Sequence, residues 1–239
     1  MTESQNRVAL VTGGTRGIGY AVAHRLASDG FVLAISGRTE ASVSKAVEKL
    51  RKESPDAVGF PADARREEEQ NALLSFVEEK FGRLDVLVNN AGVGEFGPVD
   101  RLEPAKFRAV IENNLLGPYY AIRAAAPLMR KSGGGFVVNI ASLASINAFA
   151  GGAAYNASKF GLLGLSDAAM LDLRHDGIRV AAVLPGSVAT EFGDSHGGRE
   201  GSWMLAPEDV AEAVADLVRF PERALPSRIE LRPTRPPKK

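Results

Sequence analysis

The sequence predicts an α/β fold, a doubly wound and mostly parallel sheet of seven strands with helices on both faces. Three observations carry that prediction. Short, nearly continuous apolar runs recur along the chain, as strands buried on both faces require. Helical periodicity fills the intervals between them. Strand and helix alternate seven times with no internal repeat and no dividing linker, so residues 1–239 read as one domain.

The first run is RVALVTG at 7–13, and in the helix after it Ile18, Val22 and Leu26 repeat every four residues. Gly30 then stands where a helix C-cap belongs. FVLAIS (31–36) and AVGFPAD (57–63) are the second and third strands. Leu73, Val77 and Phe81 mark the next helix face, closed by Gly82. LDVLVNN (84–90), GFVVNIAS (135–142) and IRVAAVLPG (178–186) follow as strands four to six. Pro207 opens a helix carrying Val210, Val214 and Leu217, and SRIELRP (227–233) is the seventh strand. Two segments break the rhythm. The Gly-rich connection 186–206 is long enough to serve as a substrate lid. The tail at 233–239, rich in proline and charge, reads as a solvated, flexible end.

Composition excludes several functions. Lys plus Arg equals Asp plus Glu at 29 each, which removes any bulk attraction to nucleic acid or anionic lipid. Absence of cysteine excludes disulfides and thiolate zinc sites, and fits a cytoplasmic protein. His24, His175 and His196 lack ligand-like spacing, so no metal is expected. No apolar stretch approaches the roughly 20 residues of a membrane span, and the N-terminus lacks the pattern of a signal peptide.

Two motifs bear chemistry. TGGTRGIG at 12–19 joins the first strand to the first helix, in the place of a Rossmann-like dinucleotide turn. Gly13, Gly17 and Gly19 would let the backbone approach a pyrophosphate at a helix N-terminus. In AAYNASKFG at 153–161, Tyr155 and Lys159 lie four residues apart, on one face of a helix. A free tyrosine has a pKa near 10 and is a poor acid or base at neutrality. An ammonium about 4 Å away at an effective dielectric near 20 contributes about 4 kcal/mol, enough to lower that pKa by about three units. The lysine is expected to make the tyrosine usable.

Together TGGTRGIG, the NNAG at 89–92, Ser142, the Tyr155–Lys159 pair and PGSVAT at 185–190 resemble the short-chain dehydrogenase/reductase family, in its single-domain branch. The resemblance covers about residues 7–220 and implies hydride transfer between a nicotinamide and a ketone, aldehyde or secondary alcohol. It implies that Tyr155 exchanges the proton, Lys159 also bonds the nicotinamide ribose, Ser142 polarises the substrate oxygen and Asn114 holds a relay water. Cofactor contacts would come from Gly13, Thr15, Arg16, Gly17, Ile18 and Gly19, from Asp63 at the adenine, and from Asn89, Ala91 and Gly92. Pro185, Gly186, Val188 and Thr190 would meet the nicotinamide end. The second strand ends in Ser36-Gly37-Arg38, without the carboxylate that would bind an NAD ribose; Arg38 and Arg16 imply NADP(H) rather than NAD(H).

Phe96, Phe149, Phe192 and Trp203 follow strands four to six and are expected to line an apolar substrate pocket. The C-terminal SRIELRPTRPPKK departs from the family's Asp-Gly-Gly ending, which packs at one subunit interface. The small-residue helix FGLLGLSDAAML forms a dimer face in that family, so at least a homodimer, or a homotetramer, is implied. Alternatives are 3-oxoacyl-thioester reduction, a non-catalytic NADP-binding sensor, and nucleotide-sugar epimerisation or dehydration, for which the chain lacks length.

Overall fold

The computed structural model describes residues 7–190, 192 and 203–237. Seven strands form one sheet: β1 (Val8–Val11), β2 (Val32–Gly37), β3 (Val58–Pro61), β4 (Val86–Asn89), β5 (Gly135–Ile140), β6 (Ile178–Pro185) and β7 (Arg228–Leu231). Their order is β3-β2-β1-β4-β5-β6-β7, and all six pairings are parallel, so the sheet has no antiparallel edge. The helices are α1 (Gly17–Ser28), α2 (Glu40–Leu50), α3 (Glu67–Phe81), α4 (Pro104–Ile111), α5 (Gly117–Lys131), α6 (Ala153–Leu173) and α7 (Pro207–Arg219). A π-helical turn, Glu112–Leu116, joins α4 to α5.

The strand period of two sorts the core into two layers. Ala9, Val11, Val86, Val88, Phe136 and Val138 pack with α1, α2 and α7 on one face. Val8, Leu10, Leu87 and Val137 point the other way and pack with α3, α5 and α6. Burial on both faces is why the strands read as unbroken apolar runs. The two predicted stops are present, with Gly82 capping α3 at φ 69° and Gly30, at φ 84°, one residue beyond the cap of α1.

One polar thread crosses this core. Asn89 Nδ2 donates to Asn139 Oδ1 at 2.8 Å, and Asn139 Nδ2 donates to Ser166 Oγ at 2.8 Å, linking β4, β5 and α6. Most of the long connection 186–206 lies outside the described residues; within it, Val188 bridges to Leu205. At the C-terminus Pro233 packs on Gly186, and residues 234–237 are exposed.

Candidate active site

β1 lies between β2 and β4, where the chain reverses its direction of travel across the sheet, and the crevice opens at the C-terminal strand ends there. The glycine turn sits at that opening. Gly13 and Gly17 have φ of 62° and 53°, and a Cβ at Gly13 would stand 2.9 Å from Ala91 Cα. A Cβ at Gly19 would collide with Gly13 O and Asn90 Nδ2. Two turns are thus pressed together, and hydrogen bonds lace them. Asn90 Nδ2 donates to Thr12 O and Gly13 O, both at 3.1 Å, while the Asn90 and Ala91 amides donate to Thr12 Oγ1. Sequence reasoning named Asn89 in this segment and missed Asn90 and Thr12. Thr190 lies against Gly17, Ile18 packs on the core, and Pro185 and Gly186 close β6, the Gly186 amide donating to Leu231 O at 2.8 Å.

Arg16 and Arg38 are both exposed at this end of the sheet. A cavity of about 420 Å³ between α1 and α2 is lined by Thr15, Arg16, Tyr20, Ser42, Lys45 and Lys49 among others, with no carboxylate. Asp63 lies just after β3. Its carboxylate pairs with the Arg65 guanidinium, whose hydrogen bond holds it below the usual carboxylate range, and the nearby Arg38 charge adds to that. Asp63 does not cap α3, whose N-cap is Arg66; its Oδ1 instead accepts from the Arg65 amide at 3.0 Å.

Tyr155, Lys159, Ser142 and Asn114 come from α6, the end of β5 and the π-helical turn. Lys159 is buried, and its Nζ donates to Ile140 O at 2.8 Å. It stands 5.8 Å from the centre of the Tyr155 ring, and burial lowers its pKa from 10.5 to about 8. Burial pushes the Tyr155 phenol up, and its hydrogen bond with the Ser142 hydroxyl opposes that push. The expectation that the lysine alone brings the tyrosine toward neutrality left out this desolvation, which acts on both groups and favours their neutral forms. Ser142 begins a single 3₁₀ turn, Leu143–Ser145, its Oγ accepting from the Ala144 amide at 3.1 Å.

Asn114 is buried and fully engaged. Its Oδ1 accepts from the Val93 amide at 2.8 Å, and its Nδ2 donates to Val93 O at 2.9 Å and to Ser158 Oγ at 3.1 Å. Its neighbour Asn113, also buried, leaves Oδ1 without a hydrogen-bond partner. A Cβ at Gly92 would lie 3.4 Å from Asn114 Oδ1 and 4.0 Å from Lys159 Nζ, so the loop after β4 closes on both groups.

Asn156, beside Tyr155, carried no signal in the sequence. Its Nδ2 donates to Ala144 O at 2.8 Å and Asn147 O at 3.2 Å, and its Oδ1 accepts from the Phe149 amide at 3.3 Å. It thereby fastens the segment after Ser142 to the first turn of α6. Phe96, Phe149 and Phe192 gather about Tyr155, with Phe96 and Phe192 in direct ring contact. Trp203 is half-buried and has no ring contact with them among the described residues. Among those residues there is also no cluster suited to a metal ion, and no helix long and apolar enough to cross a membrane.

A doubly wound parallel sheet with a glycine turn at its switch point is the fold of a Rossmann-type dinucleotide-binding oxidoreductase. Residues 7–200 match the family model described as short chain dehydrogenase, and the chain belongs to that family of oxidoreductases. It is 36% identical over 190 residues to the 3alpha-hydroxysteroid dehydrogenase of Mediterraneibacter gnavus, covering 79% of this chain and 76% of that one. An alcohol dehydrogenase of Thermococcus sibiricus, complexed with 5-hydroxy-NADP, superposes with a TM-score of 0.89 at 30% identity over 98% of this chain and 99% of that chain. A metagenomic short-chain oxidoreductase in complex with NADP gives 0.84 at 38% identity, over 95% and 97%.

Replacing Asn156 with alanine removes the donor to two carbonyls and the acceptor for one amide. The expected result is a loss of about 1–3 kcal/mol in urea unfolding, with faster hydrogen exchange at the Phe149 amide. Unchanged exchange there would show that the segment after Ser142 is held by something else.

Proposed function

We propose that the chain is an NADP(H)-dependent carbonyl reductase, acting on a ketone or aldehyde and reversible as an alcohol dehydrogenase. The observation that carries this reading is the convergence of Ser142, Tyr155, Lys159 and Asn114 on the crevice that the glycine turn borders. The cradle suits a dinucleotide. Gly13 and Gly19, where a Cβ would meet Ala91 Cα at 2.9 Å and Gly13 O at 2.3 Å, let the turn after β1 and the loop after β4 close together, and Gly17, Gly92, Thr15, Ile18, Ala91, Asn89, Asp63, Pro185, Gly186, Val188 and Thr190 lie at or just beyond the strand ends there. A bound nicotinamide would supply the hydride that reduces the carbonyl carbon. Tyr155 donates its hydroxyl proton to the carbonyl oxygen, so the product is the alcohol. Ser142 holds that oxygen by a hydrogen bond that strengthens as negative charge grows. Lys159 supplies positive charge behind the phenol. With its side chain spent on Val93 and Ser158, Asn114 fixes the loop after β4 against α6.

Burial that raises the Tyr155 pKa keeps the phenol protonated through neutral pH, which suits donation and therefore reduction. The lysine sets the alkaline limit, because its folded pKa of about 8 lies below its ordinary 10.5. Its charge is present below about 8 and is lost above it, while the unfolded chain keeps the proton to 10.5. Stability contributed at this site therefore rises with pH across that window. In reduction, kcat/KM should fall above a pH of about 8, and Lys159→Arg should move that fall upward whatever its residual rate. Tyr155→Phe should lower kcat/KM by about 10²–10⁴ while NADPH still quenches protein fluorescence. NADPH binding by the wild type, without turnover of any carbonyl compound, would leave a sensor.

The preference for the 2′-phosphorylated cofactor rests on Arg16, Arg38 and the cation-lined cavity between α1 and α2, where no carboxylate competes. Replacing both Arg16 and Arg38 with alanine should weaken NADPH binding at least ten-fold, and NADH binding far less. Equal losses for the two would remove the preference.

Assembly as at least a homodimer is supported by large apolar side chains left exposed on neighbouring helices: Phe107 of α4, Tyr119 of α5, and Phe160 and Leu171 of α6. Light scattering at micromolar concentration should give twice the chain mass of 25.3 kDa or more, and a monomer would refute it.

A further inference from the structure

The three phenylalanines around Tyr155 form a built wall rather than a chance gathering. Phe96 meets the Tyr155 ring at 5.6 Å between centroids with the planes at 59°, and Phe192 meets it at 5.8 Å and 57°. Phe149 extends the row, 5.9 Å from Phe96. Two glycines make room for these rings. A Cβ at Gly94 would lie 2.9 Å from both Phe96 and Phe192, and one at Gly152 would lie 2.7 Å from Phe149. Phe149 and Phe192 nonetheless remain 48% and 38% exposed, so the wall presents ring surface that is not yet covered.

Among the described residues no Lys or Arg lies over Phe96, Phe149 or Phe192. Lys159 is committed to the Ile140 carbonyl, and Glu95, next to Phe96, pairs with Lys106. A carboxylate or phosphate brought here would lose its water and find no stacked cation over these three rings among the described residues. The Ser142 and Tyr155 hydroxyls, which share a hydrogen bond, are the groups read as serving the carbonyl oxygen. Tilted and offset ring contacts add favourable energy beyond the area they bury, which an alkyl chain of equal hydrophobicity does not gain.

We propose that the substrate is a neutral ketone built on a flat ring system, an aryl or fused-ring ketone, and that Phe96 is a residue that selects the ring. The proposal rests on the reading of Tyr155 and Ser142 as the pair that activates a carbonyl group. Its step is the one already balanced: the carbonyl carbon gains hydride, its oxygen gains the Tyr155 proton, and NADPH is oxidised.

The test uses the full chain with NADPH and three carbonyl compounds, 1-tetralone, 2-octanone and ionised 3-oxooctanoate. In the wild type, kcat/KM for 1-tetralone should exceed that for 2-octanone at least ten-fold, with 3-oxooctanoate the poorest. Phe96→Leu keeps most of the apolar volume and removes the ring, so the tetralone-to-octanone ratio should fall several-fold, mainly through KM. Phe149→Leu serves as a second variant should the first fail to fold, and should move the ratio the same way. A wild type that prefers 2-octanone or 3-oxooctanoate overturns the ring preference and leaves the reductase reading standing. A ratio unmoved by a folded Phe96→Leu overturns the role given to Phe96. Tight NADPH binding with none of the three turned over would overturn the ring preference, and the reductase reading falls with it only when no carbonyl compound of any class is reduced.

Discussion

The position of β1, paired to β2 on one side and β4 on the other, is the constraint on which the rest depends. Parallel strands need crossover helices, and those crossovers are right-handed. Moving outward from β1 in opposite directions therefore sends the connecting helices to opposite faces of the sheet. At the reversal the two connections part, and the strand ends face an open crevice instead of a packed layer. The turn after β1, the loop after β4, Ser142 beyond β5 and the segment closing β6 lie at that end, and α6 and the π-helical turn bring Tyr155, Lys159 and Asn114 to it.

A crevice formed by topology has no fixed shape until its loops are tied down. Here amide side chains, Asn90 half-buried and the others buried, do the tying, each with more than one partner. Asn90 joins the turn after β1 to the loop after β4, Asn114 joins that loop to α6 through Ser158, and Asn156 joins α6 to the segment after Ser142. Asn139 binds β4, β5 and α6 beneath them. Asn114 and Asn156 each both donate and accept, so one side chain holds a backbone N–H and a C=O together. Burial strengthens such bonds and makes their loss costly, which gives the loops a single arrangement.

The fold was legible because both-face burial writes strands as apolar runs and because Gly30, Gly82 and Pro207 punctuate the helices in ways with a steric cause. The glycine turn and the Tyr155–Lys159 pair were legible because their spacing is local. What the sequence hid is non-local. Asn156 looks like any helix asparagine until Ala144, Asn147 and Phe149 fold back over it. The sign of the balance at Tyr155 was hidden for the same reason: a charge four residues away is visible in one dimension, whereas exclusion of water depends on Phe96 and Phe192, about 59 and 37 residues distant by position number. The π-helical turn that presents Asn114 likewise has no signature in the residues ENNLL.

Lys159 has a further consequence for anyone altering this chain. It buries an ammonium with a carbonyl oxygen as its hydrogen-bond partner, so it works against folding at neutral pH. A campaign that screened variants for heat resistance alone would reward its replacement by a greasy side chain of similar length. Such a library would grow hardier as it went chemically silent, and a thermal screen by itself would record that drift as progress.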